Sequence, residues 1–141
     1  MTRVTDLYRF EAIQGHLGWD QETIMPAKGA KSRGEILAWL AGQRHSRLID
    51  EEMGELITTL EAGNHDDYFR ANLKEMRRKY DEAVKLPTEF VSEFTKARSE
   101  ALIAWQKARS ESDFSQFAPH LQNLIDLTRQ KIDYLGCEHT P

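Results

Sequence analysis

Cysteine is nearly absent. Cys137 is alone among 141 residues, so no internal disulfide can form, and a lone thiol fits a reducing compartment. No cysteine lies near it, and His139, two residues on, is too little for a metal site. No apolar run approaches the roughly 18 residues that mark a membrane-spanning helix. The opening Met1-Thr2-Arg3-Val4-Thr5-Asp6 has no apolar signal core. The expected location is the cytoplasm, with no membrane partner. One-signed charge is missing too. The 23 acidic and 19 basic residues sum to −4, and they interleave, as in Lys74-Glu75-Met76-Arg77-Arg78-Lys79-Tyr80-Asp81-Glu82. Without a basic patch to meet phosphates, nucleic acid is excluded as a partner. The G-x-S-x-G, P-loop and dinucleotide fingerprints do not occur.

What is present is helical periodicity. Apolar residues recur at steps of 3 and 4 almost throughout, and strand-like alternation nowhere persists. The pattern predicts a single domain over 1–141, an all-α bundle of about six helices. The first runs from about Val4 to Asp20, with Val4, Leu7, Tyr8, Ile13, Leu17 and Trp19 as its apolar face. Met25-Pro26-Ala27-Lys28-Gly29 breaks it. A second runs from Ala30 to Arg47 with Ile36, Leu37, Leu40 and Ala41 inward. Asp50 is a good N-cap for a third, which carries Met53, Leu56, Ile57 and Leu60 and ends at Gly63-Asn64. A fourth begins near Asp66 and stops at Leu86-Pro87-Thr88. The fifth shows Phe90, Phe94, Ala97, Ala101, Trp105 and Ala108. After Ser110-Glu111-Ser112-Asp113 the sixth shows Phe117, Leu121, Leu124, Thr128, Ile132 and Leu135, with Gly136 closing it. The last two read as a long antiparallel pair with Phe94, Trp105, Leu121 and Leu124 mostly buried.

Candidate chemistry is sparse. The histidines are His16, His45, His65, His120 and His139, and no two have the spacing of H-E-x-x-H. His16 and Asp20, four apart, could share a helix face, but they make at most half a zinc site. Asp50-Glu51-Glu52 sits at a helix start, where carboxylates meet the helix dipole favourably, so it reads as a cap before a cation site. The stripe Phe90, Phe94 and Trp105 reads as core before ligand pocket. These residues assign no catalytic residue, no metal ligand and no cofactor to the chain.

One string is more specific than a helix hairpin requires: Leu17-Gly18-Trp19-Asp20-Gln21-Glu22-Thr23-Ile24-Met25-Pro26, then Gly29-Ala30 and Arg33. It resembles the N-terminal region of the carboxypeptidase Taq family of metallo-carboxypeptidases, where Leu-x-Trp-Asp-x-x-Thr-x-Met-Pro precedes a Gly-Ala and an Arg. Similar pieces follow in the same order: Arg77-Arg78-Lys79-Tyr80, Leu86-Pro87-Thr88-Glu89-Phe90-Val91, Trp105-Gln106-Lys107-Ala108-Arg109, Asp113-Phe114 with Phe117 and Pro119, and Leu135-Gly136. Together they cover nearly the whole chain.

The resemblance implies a protein several times longer, which uses zinc or another divalent metal to remove C-terminal amino acids from peptides. Its metal ligands, on an H-E-x-x-H helix and a later glutamate, have no counterpart here. The chain is therefore expected to be a truncated N-terminal cover segment, inactive alone, with Trp19, Asp20, Thr23, Met25, Pro26 and Arg33 serving structure or the groove cover. Its expected partner is a second copy in a homodimer, through an interface at Trp19, Ile24, Met25 and Trp39, or else a catalytic portion or peptide. Two further readings stay open: an independent helical protein-interaction module, and a small hydrolase with a metal site shared across a dimer.

Overall fold

The computed structural model describes residues 2–136. Cys137 and His139 lie outside them. Among the described residues there are six α-helices, two one-turn 3-10 helices and no strand. The α-helices are α1 (Thr2–Thr23), α2 (Ala30–Leu48), α3 (Glu51–Glu61), α4 (Asp67–Ala83), α5 (Thr88–Glu111) and α6 (Ala118–Leu135). The 3-10 turns, Ala27–Gly29 and Phe114–Gln116, fill the α1–α2 and α5–α6 links.

The helix ends follow local chemistry. α1 runs three residues past the expected Asp20, because nothing before Pro26 (φ −60°, ψ 140°) forbids helix. Asp50 caps α3 by accepting from the Glu52 amide, and Asp66 caps α4 by accepting from Phe69. α5 ends on Ser112 at φ 53°, and α6 on Gly136 at φ 75°. The left-handed conformation suits the glycine and costs the serine something.

Two apolar clusters hold the bundle. Leu7, Met53, Ile57 and Leu73 join the start of α1 to α3 and α4. Phe90, Ala97 and Leu127 join α5 to α6, with Phe94 and Leu124 against them. The Phe90 and Tyr134 rings meet edge-on at 5.2 Å, and the Lys85 ammonium, just before α5, reaches the Leu135 carbonyl. The start of α5 thus lies beside the end of α6.

The most extensive contact of α5 is with α2, not α6. One side of α5 carries the apolar stripe Phe90, Ala97, Ala101 and Ala108. The other carries Thr88, Ser92, Thr95 and Ser99, at steps of 4, 3 and 4. This small polar stripe meets Gly34, Ala38, Ala41 and Gly42 of α2. A Cβ built on Gly42 would come within 2.5 Å of the Ser92 hydroxyl, and one on Gly34 within 3.4 Å of the Ser99 hydroxyl. The small residues let the two helix axes approach.

Several burial expectations are corrected. Trp105 is 43% exposed and lines an open cleft instead of the core. Phe94, Leu121 and Leu124 are only half-buried. α5 has 24 residues and α6 has 18. On α2, Ile36 faces outward while Leu40 and Ala41 are buried. On α1, Val4, Tyr8, Ile13 and Trp19 are exposed and Leu7 is buried.

Candidate functional site

The singled-out string forms a clasp between α1 and α2. Arg33, 15% exposed, donates through Nη2 to Asp20 Oδ2 at 2.5 Å and through Nη1 to the Leu17 carbonyl at 2.5 Å. Its planar fork thus engages a carboxylate and a backbone carbonyl at once. The Asp20 carbonyl accepts from the Ile24 and Met25 amides, and the Thr23 hydroxyl donates back to the Trp19 carbonyl at 2.7 Å. Pro26 then turns the chain. Met25, half-buried, packs 3.4 Å from where a Cβ on Gly29 would stand. Asp20, Thr23, Met25, Pro26 and Arg33 are thus brought together as a structural joint, while Trp19 and Ile24 point away from it, 63% and 69% exposed. Trp39, on α2, is 61% exposed.

Beside the clasp runs an open cleft of ≈550 Å³ between α1 and α6, floored by α5. Its lining includes Gln14, Gln21, Leu37, Arg98, Trp105 and Phe117. The floor is fixed by Gln21, which is 6% exposed and donates from Nε2 to the Ser99 hydroxyl at 2.8 Å. That bond ties α1 to α5 directly above Gly34. The sequence reading passed over Gln21. Its signal was available: Leu7, Gln14, Leu17 and Gln21 fall on one face at steps of 7, 3 and 4. Trp105 forms part of the wall, with the Arg109 guanidinium 5.8 Å from its ring centre.

The candidate ligands do not converge. His16 is exposed, and its Nδ1 lies 2.9 Å from the Ala12 carbonyl, while Asp20 is committed to Arg33. Asp50 caps α3 and pairs with Arg3 at 3.0 Å, a contact that holds its carboxyl below the usual range; Glu52 also pairs with Arg3. Among the described residues no three His, Cys, Asp or Glu side chains gather as a metal would need. The described donors therefore offer no set that fits a catalytic divalent metal, and no chemical step is routed through them to one.

His45, one of the histidines to which the sequence gives no role, is 5% exposed. Its Nε2–H donates to the Ala83 carbonyl at 3.0 Å, so Nδ1 accepts from the Thr88 hydroxyl at 2.9 Å. Burial is the main cause that pushes this imidazole below its ordinary pKa, with Arg44 assisting. It fastens α2 to the α4–α5 corner and lies outside the cleft lining.

No described helix is long and apolar enough to cross a membrane. Over residues 1–141 the chain matches the carboxypeptidase Taq (M32) metallopeptidase family. It is 33% identical to thermostable carboxypeptidase 1 of Pyrococcus furiosus over 91% of this chain and 26% of that protein. It is 34% identical to thermostable carboxypeptidase 1 of Thermus thermophilus, over 83% of this chain and 24% of that protein. The BsuCP crystal structure superposes with a TM-score of 0.86 at 26% identity, covering 99% of this chain and 29% of that one. The Pyrococcus furiosus carboxypeptidase apo-Mg structure gives 0.73 at 30% identity, over 99% and 28%. The chain thus spans about a quarter of the length of the curated relatives it matches. Matched from its first residue to its last, and folded as the corresponding part of solved carboxypeptidases, the chain belongs to the carboxypeptidase Taq (M32) metallopeptidase family.

Proposed function

We infer that these 141 residues serve as the N-terminal helical cover of a metal-dependent carboxypeptidase and that, alone, they release no amino acid from a peptide. The observation that carries this reading is the pairing of a match over the whole chain with a donor set that gathers no three metal ligands among the described residues. Relatives of four times the length have ample further chain to supply the metal and the general base, which in a metallopeptidase acts on metal-bound water. The part left to this segment is mechanical. The Asp20–Arg33 clasp and the Gln21–Ser99 bond set the angle between α1 and the α2–α5 pair, and that angle fixes the walls of the open cleft.

The purified 141-residue chain, incubated with zinc, cobalt or manganese and a peptide of defined sequence, should release C-terminal residues no faster than a metal-free control. Release above that control, and lost on chelation, would overturn the reading. A second reading, a helical interaction module without catalysis, draws on the exposed Tyr8, Trp19, Ile24 and Trp39. Apolar surface of this kind marks contact sites.

A further inference from the structure

Two arginines hold no oxygen of this acidic chain, and both border its open clefts. Of the eleven arginines, eight pair with a carboxylate and Arg47 bonds to Gln43; Arg98 and Arg109 do neither. Both are exposed. Arg98 lines the cleft of ≈550 Å³. Arg109 lines a second cavity of ≈510 Å³, together with Trp105, Phe114 and Phe117. Trp105 and Phe117 belong to both linings, so the two spaces make one trough with an aromatic ridge in its middle and a guanidinium toward each end. Arg98, Leu102, Trp105 and Arg109 follow at steps of 4, 3 and 4, which sets them on one face of α5.

The acids on the rim do not answer these charges. Glu22 lines the first cavity but forms no ion pair with Arg98. Asp113 lines the second and is committed to Ser115 and Gln116. Across from α5, α1 offers two amides. Gln21, 6% exposed, gives Nε2 to the Ser99 hydroxyl and leaves Oε1 without a partner among the described residues. Gln14, half-buried, has no partner there for either amide atom. An amide offers both a donor and an acceptor, as a peptide backbone requires. The two guanidinium-bearing positions are roughly 16 Å apart along the helix at 1.5 Å per residue. One small anion cannot reach both. An extended peptide spans that distance in about five residues.

We propose that the trough holds the substrate upstream of the residue released and favours an extended peptide with two acidic side chains about four to six residues apart and an apolar side chain between them. This rests on the reading of the segment as the cover of a carboxypeptidase. Arg98 and Arg109 take the carboxylates, the Trp105–Phe117 ridge takes the apolar group, and the Gln14 and Gln21 amides meet the backbone.

The probe is a fluorescein-labelled peptide with two glutamates about five residues apart and a phenylalanine between them, compared with its glutamine counterpart. By fluorescence anisotropy the 141-residue chain should bind the glutamate peptide roughly tenfold more tightly. Added salt should shrink that advantage. Arg98→Gln with Arg109→Gln should abolish it while the melting temperature holds, since no oxygen of the chain loses a partner. Equal affinity for the two peptides, binding of neither, or an advantage that survives the double substitution overturns the proposal. A hybrid in which this segment replaces the matching quarter of a full-length relative assigns the source of the peptide. Its KM should be lower for the glutamate peptide than for the glutamine one, and the double substitution should erase the difference. Equal KM values would mean that the rest of the protein fills the trough, which overturns the substrate assignment and leaves the cover reading standing. A hybrid that releases nothing from either peptide counts against the cover reading instead, and the binding comparison alone then upholds or overturns the trough.

Discussion

Replacing Arg33 with alanine tests whether the Trp-Asp…Arg string is a structural joint. The guanidinium makes two charge-assisted bonds of 2.5 Å, to Asp20 and to the Leu17 carbonyl, and its side chain is only 15% exposed. Each such bond contributes about 1.5–3 kcal/mol when fully sheltered. Removing the cation also leaves a carboxylate without its partner, which costs about 3–5 kcal/mol in a dry interior. Asp20 is 31% exposed, so water recovers much of that loss. The balance is about 2 kcal/mol for Arg33→Ala, or a fall in Tm of roughly 6–10 °C for a domain of this size. Arg33→Lys can satisfy one acceptor and not both, and should cost about 1 kcal/mol. Urea unfolding of Arg33→Ala, Asp20→Asn and the double variant closes a cycle whose coupling should exceed about 1 kcal/mol. Additive losses, or an Arg33→Ala cost under about 0.5 kcal/mol, would refute the joint and return these residues to the candidates for contact with a ligand.

Three further outcomes follow from the packing. Trp105→Ala should cost less than about 1.5 kcal/mol in urea unfolding, because the indole is 43% exposed and outside both apolar clusters; a loss of 3 kcal/mol or more, as for a buried tryptophan, would mean that the cleft wall is closed. Gly42→Val should lower stability by about 1–3 kcal/mol through overpacking, since even a Cβ meets the Ser92 hydroxyl at 2.5 Å; an unchanged Tm would place α2 farther from α5. His45 has its pKa lowered by burial, so above the unfolded value of 6.5 both states are neutral and its contribution is complete. As pH falls through 6.5 toward the lower folded value, the unfolded chain takes up the proton first and stability is lost. Thermal melts from pH 7.5 to 5 should show that loss, and His45→Gln should flatten it.

Much of the helical order was legible because α-helices announce themselves by period and by punctuation. Pro26, Asp50, Pro87 and Gly136 each mark a boundary that local chemistry enforces. The facing of the helices was less legible. On α5 the apolar stripe through Phe90 and Ala97 reads as the inward face, and the Ser/Thr stripe opposite it carries no apolar signal. Ser99 is buried there, and Thr88, Ser92 and Thr95 are half-buried, because Gly34 and Gly42 bring the helices close and Gln21 supplies the Ser99 hydroxyl with a partner. Hydrophobicity carries no record of that geometry. Trp105 has the right spacing for the stripe, yet it stands on the wall of an open cleft. The cleft is built from side chains of α1, α2, α5 and α6, and no local pattern encodes their meeting. The Asp20–Arg33 pair was visible as a motif, but its role became readable only when both partners could be placed.

The central claim is that this segment is the helical cover of an M32 carboxypeptidase. It is tested most directly by exchanging the matching quarter of carboxypeptidase 1 of Bacillus subtilis, to which the chain is 31% identical over 126 residues, for this chain. The measurement is metal-dependent release of C-terminal residues by the purified hybrid. The account predicts release that chelation abolishes and that Arg33→Ala reduces. A hybrid that folds as a single cooperative unit and yet releases nothing would contradict it.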